Sequence, residues 1–242
     1  MRLPTLSRAA VLQAIVPVCV ITKAPKSAHA DAVEEIRKAA SVVPGYGPSD
    51  LLFPPVFRGR WKVTRTVVDV AYPLGKDKAP AAEVAAAESQ ATKAATFDQR
   101  FVETDDPGAF GARCIPDRAF NAEQREAALS GKPIDDFDAR WSASNPNVVT
   151  MLNRRTRTLV ETKVTKRSVE APGDGAFGTS EYARVADAGS EGVLGGVPRI
   201  LATRERSRYR WDGDSPNRIE ALEIASVYDP TQTGVHWLSP NA

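Results

Sequence analysis

Glu205 lies in the run PRILATRERSRYRW, where residue type alternates with position. Leu201, Thr203, Glu205, Ser207, Tyr209 and Trp211 share one parity, and Ile200, Ala202, Arg204, Arg206, Arg208 and Arg210 share the other. A strand sends the two parities to opposite faces. Four arginines fit only on a side that meets water or carboxylates, so the Tyr and Trp side turns inward and takes Glu205 with it. An inward carboxylate has two uses. It can orient a mostly apolar guest in a ligand cavity, or it can pair with an inward arginine.

The arginine side carries two readings as well. Arg204, Arg206, Arg208 and Arg210 can dock an acidic partner through two-pronged guanidinium contacts. They can also form a cross-strand ladder of ion pairs. If the turn DGDSPN closes symmetrically, Arg206 faces Glu223 on the next strand.

Other constellations that could do chemistry are thin. Cleavage of an N-terminal export segment would leave His236 as the single histidine, in a near-terminal tail that is a poor place to hold a triad or a zinc site. The glycines from Gly189 to Gly196 lack the Lys-Ser/Thr of a phosphate loop. Asp135-Asp136-Phe137-Asp138 lacks the glycine and terminal glutamate of a calcium loop, and Asp105-Asp106 reads as solvated loop charge. Cys114 reads as a half-buried inert thiol rather than a reactive one. No catalytic residue, metal ligand or cofactor is expected.

The elements that must position these residues begin after residue 30. Arg2 and Arg8, an apolar run from Ala9 to Thr22, and the ending Ala28-His29-Ala30 have the order of a cleavable export signal of the general secretory type. The run is too short to span a bilayer as a helix comfortably, which takes about 20 residues. Residues 1–30 hold four Lys or Arg and no acid, so the remainder has 28 basic against 30 acidic residues, net −2. That balance gives no electrostatic case for nucleic acid. No transmembrane span is expected in the mature chain, and Cys19 leaves with the signal, so no internal disulfide is available.

Residues 31–52 read as a short helix and a Pro/Gly lead-in, residues 53–230 as one β domain, and 231–242 as a tail. Within the domain, WKVTRTVVDVAY shifts phase near Thr66 or Val67, as a bulged first strand would. Residues 75–95, Ala-rich and short of large apolar side chains, read as a mobile insertion with some helical tendency. Asn121 and Gly131 bracket an expected helix over 122–130. Seven or eight strands with local connections predict an all-β fold, an antiparallel up-and-down barrel of about eight strands with short helices.

A Gly-x-Trp (Gly59 and Trp61) before a long bent strand and a meander resembles the calycin, or lipocalin-like, barrels. The segments LLFPPVFRGRW, FDQRFV, NPNVVTML, SEYARV and PRILATRERSRYRW resemble an uncharacterised family of cyanobacterial and chloroplast proteins, several of them in the thylakoid lumen. The resemblance implies a lumenal location, with a bacterial periplasm as the alternative, and assigns no reaction. The expected ligand cavity is lined by Trp61, Val63, Phe97, Phe101, Val160, Val164, Glu205, Tyr209 and Trp211. The expected function is non-catalytic binding of a small apolar ligand, a pigment or lipid derivative. The alternative is an accessory protein that docks on a photosynthetic membrane complex, with the barrel as a solid scaffold.

Overall fold

The computed structural model describes residues 11–23, 50–104, 114–142, 145–173, 175–189, 198–213 and 216–229. The expected helix at 31–40, most of the glycine loop, Asp105-Asp106 and His236 lie outside these residues. Among the described residues there are eleven strands: β1 (Val11–Lys23), β2 (Gly59–Thr66), β3 (Asp69–Ala71), β4 (Ala94–Glu103), β5 (Cys114–Pro116), β6 (Phe137–Ser142), β7 (Asn145–Asn153), β8 (Thr158–Gly173), β9 (Ala176–Asp187), β10 (Arg199–Trp211) and β11 (Arg218–Tyr228). The helices are α1 (Ala81–Gln90) and α2 (Arg118–Ser130).

The strands form one sheet in the order β5-β4-β2-β1-β11-β10-β9-β8-β7-β6, with β3 also paired to β1. Every pairing in it is antiparallel. From β6 to β11 it is the expected meander. The expected meeting of the first barrel strand with the last is not found. The apolar run read as an export signal forms β1, which pairs with β11 over Val11–Thr22 and with β2 over Val20–Lys23. Because β1 is antiparallel to both, β2 and β11 run parallel to each other. Strand counting gives the reason. The short β5 adds a strand between β4 and β6, and an odd-numbered meander cannot bring its ends together antiparallel.

The other gap, between β5 and β6, is spanned by α2. On one side the Asn121 amide receives the Arg100 backbone N–H (2.7 Å) and donates to the Arg100 carbonyl (3.0 Å), which ties the helix to β4. On the other side the Glu123 carboxylate accepts the Ala139 N–H of β6 at 2.8 Å. The helix starts four residues before the expected boundary. Asp117 caps it by accepting the Phe120 N–H, so Asn121 is left free to bind β4. Gly131 ends it at φ +67°, a left-handed position that suits glycine, as the sequence predicts.

The phase shift in the first strand is real, but the strand breaks rather than bulging. Trp61, Val63, Arg65 and Val67 are buried on one side of it, Val68 is exposed, and β3 begins at Asp69. Val70 and Tyr72 then pack outside the main core, against α1 and Val227. The segment read as a mobile insertion is therefore partly a docked helix, with Val84 as its buried anchor.

Candidate functional site

Three regions could carry function: the aromatic interior, the ion-pair networks beside it, and the outer face of β8 to β11. The interior positions were expected to line a hollow. The structure packs them instead. Trp61, Val63, Phe97 and Phe101 are buried in one cluster with Phe53, Phe57 and Phe177, and Tyr209 and Trp211 close against it. Ring centroids lie 4.8 Å apart for Phe53–Phe101, 5.0 Å for Phe57–Tyr209 and 5.7 Å for Phe57–Trp211, the spacing of rings in contact. The Trp61 indole N–H donates to the Phe57 carbonyl at 2.6 Å, so its one polar atom is satisfied within the packing. At this end the ring cluster is filled by its own side chains. Phe53 and Phe57 come from the Pro-rich start of the β domain, whose part in the core no periodicity reveals. Val160 and Val164 lie on β8 outside that cluster, Val164 buried and Val160 half-buried.

Glu205 points inward, as its parity requires, and meets the inward arginine that the sequence did not identify. Arg125 of α2 donates to Glu205 at 3.1 Å and to Glu223 at 2.9 Å, and Arg65 of β2 donates to Glu223 at 3.1 Å. Enclosure by protein and the nearby Glu223 carboxylate push the Glu205 pKa upward against the pull of Arg125. The Glu205 side chain keeps 41% of its surface exposed, so water screens that rise. Enclosure also works upward on Glu223, but Arg125 and Arg65 outweigh it and hold Glu223 below its ordinary value.

A second network lies nearby. Arg118 donates to Asp50 at 2.5 Å and to Glu181 at 2.9 Å. Arg167 donates to Glu181 at 2.6 Å and to Asn147. Burial works upward on Glu181, and Arg118 and Arg167 outweigh it to set its pKa below the usual range. These contacts join the N-terminal lead-in, α2, β8 and β9. Their chemistry is structural.

The outer face is different. Residues directly opposed across antiparallel strands share a face. Arg204 is flanked by Tyr182 and Ser226, Arg206 by Ser180 and Ile224, and Arg208 by Gly178 and Leu222. Lys166 and Ser168 of β8 continue the first two rows. The expected facing of Arg206 and Glu223 is thus off by one residue. Ser207 faces Glu223, because β10 and β11 set their register by the inward pairs Trp211–Ile219 and Tyr209–Ala221 rather than by a symmetric turn.

The ladder reading holds for one arginine of the row: Arg208 meets the Glu170 carboxylate at 3.1 Å. Arg204 stacks 4.6 Å over the Tyr182 ring and donates to the Ser180 hydroxyl at 3.2 Å. Arg206 has no carboxylate partner among the described residues, and its Nε is buried without an acceptor. Buried nitrogens of Arg65 and Arg184 also lack acceptors, but each of those side chains holds a carboxylate through another nitrogen. A groove of about 350 Å³ follows the row, lined by Ser168, Ser180, Arg204, Arg206, Leu222 and Ile224 among others. A second, of about 430 Å³, lies at the hairpin end beside Arg210, Trp211 and Glu220. Ser168, Ser180 and Lys166 had no sequence signal, since only register brings them to the arginines.

Among the described residues, no helix is long and apolar enough to cross a membrane. Residues 45–241 match the model of a family described as a domain of unknown function, DUF6816, and no curated protein or solved structure matches the chain. That match takes in most of the sequence and all of β2 to β11: the chain belongs to the DUF6816 family.

Proposed function

We propose that this is a non-catalytic exported protein that acts through the outer arginine face, docking on an acidic surface of a membrane-bound complex. A lipocalin-like barrel, with α2 seated in its gap, serves as the scaffold. One observation carries the reading. Every arginine in the interior networks holds a carboxylate, whereas Arg204 and Arg206 on the outer face hold none among the described residues. An arginine row without acids is a ready partner for carboxylates supplied by another molecule.

The thylakoid lumen is the compartment we favour, with a bacterial periplasm as the alternative. The charged, apolar, small-x-small order of residues 1–30 supports export. Cleavage after Ala30 removes β1, and β2 and β11 each keep their other neighbour, β4 and β10.

The interior offers a second reading, binding of a small apolar ligand such as a pigment or lipid derivative. Glu205 favours it, being an inward carboxylate that stays partly open. Solvent extraction of protein purified from its own cells tests this reading, and an extract free of any apolar compound ends it.

The docking reading is tested by Arg204→Glu combined with Arg208→Glu. The expected result is loss of co-migration with solubilised membrane complexes on native gels. Unchanged co-migration of a folded double variant contradicts it.

A further inference from the structure

We infer that the groove around Arg206 is a binding site for a tetrahedral oxyanion, a phosphate or sulfonate group, whose attached apolar body lies along Leu222 and Ile224. The inference rests on the outer-face reading above and names the chemistry of that face.

Four features point to an oxyanion. Arg206 leaves Nε buried with no acceptor, which costs free energy until an anion fills the position. Arg204 is held beside it by the Tyr182 ring and the Ser180 hydroxyl, so its guanidinium is pre-ordered before any ligand arrives. Ser168 and Ser180 line the same groove and offer hydroxyl donors of the kind that complete the coordination of a three-oxygen group. The small residues Ser168 and Ser180 keep the Arg206 row of the sheet low, which makes the depression between taller neighbours.

The opposite wall is apolar. Leu222 stays 41% exposed although it directly faces Arg208, and Ile224 directly faces Arg206. A cation row with hydroxyls on one side and an aliphatic strip on the other matches an anion that carries a hydrocarbon portion. A bare carboxylate peptide would use the arginines and leave the aliphatic strip and the serines idle. The groove volume, about 350 Å³, suits one headgroup with the first part of its chain.

The test is titration of the full chain with inorganic phosphate, followed calorimetrically. It is paired with co-sedimentation on phosphatidylcholine vesicles with and without phosphatidylglycerol, and with binding to a polyglutamate peptide. Phosphate is expected to bind, and Arg206→Gln to weaken it about tenfold or more, the loss of a charge-assisted bond. Arg210→Gln, outside the groove lining, is expected to leave binding unchanged. Should Arg206→Gln fail to fold, the double variant Ser168→Ala and Ser180→Ala carries the test, with an expected loss of severalfold.

Sedimentation that requires phosphatidylglycerol places the oxyanion on a lipid headgroup, and phosphate binding without sedimentation assigns a soluble ligand. Binding of polyglutamate alone, or equal phosphate affinity in wild type and Arg206→Gln, overturns the inference. If phosphate and anionic vesicles both fail while co-migration with a membrane complex persists, the docking reading stands and the oxyanion site does not.

Discussion

The arginines inside this sheet and those outside it live under opposite rules. Inside, Arg65, Arg118, Arg125 and Arg167 each meet a carboxylate, and several meet two. Outside, on β10, Arg208 alone of the four-residue row reaches an acid among the described residues. A cation taken from water must find its counter-charge in the fold or the fold is destabilised. A cation at the surface is under no such demand, so its pattern is free to serve a partner. The inner set therefore tells how α2 is clamped into the gap between β5 and β6, and the outer set is the face on which the proposed docking rests.

The contrast predicts a graded series of effects. Arg118→Ala should cost the most, about 3 kcal/mol in chemical denaturation, because it takes from Asp50 and Glu181 one of the two cations they share and leaves both to Arg167. A loss below about 1 kcal/mol would place this network with ordinary surface pairs.

Acid titration comes next. Glu181 and Glu223 have folded pKa values below their unfolded value near 4.5. Their stabilisation is therefore complete above that pH and is lost as pH falls through the folded values. Glu205 has a raised folded value, so its protonation on acidification favours the fold and offsets part of the loss. Glu181→Gln should flatten the acid limb of a stability–pH curve, and Glu205→Gln should steepen it. The same slope in both variants would break the distinction.

Removal of residues 1–30 should leave a folded chain with lower stability, read by thermal melting, because β1 departs while the pairs β2–β4 and β10–β11 remain. A wholly unfolded product would make β1 an integral strand and not a removable segment. The smallest effect is expected for Arg206→Gln, whose stability should stay within about 0.5 kcal/mol of the parent, since no carboxylate partner is lost.

Strand parity was the most legible property of this sequence. Alternation alone sent Trp61, Val63, Phe97, Phe101, Tyr209 and Trp211 inward and the arginine row of β10 outward. It did so because a two-residue period is a local property of the backbone. What needed the third dimension was register and the helices. The one-residue difference that sets Ser207 rather than Arg206 opposite Glu223 is decided by inward packing at the hairpin end. Arg125 and Arg118 carry no sequence signal of their own, and only the placement of α2 across the gap turns them inward. Asn121 has the right type for a helix cap, but Asp117 takes that role and frees Asn121 for β4. Phe53 and Phe57, at the start of the domain, show no periodicity, so their central place in the core could not be seen from spacing.

The central claim is that this protein works from its outer arginine face while the inner charges only hold the fold. It is tested most directly by charge reversal at Arg204 and Arg208 in one chain, with melting temperature and co-migration with membrane complexes measured on the same preparation. The account predicts an almost unchanged melting temperature together with lost co-migration. Co-migration that survives the reversal in a folded protein contradicts it.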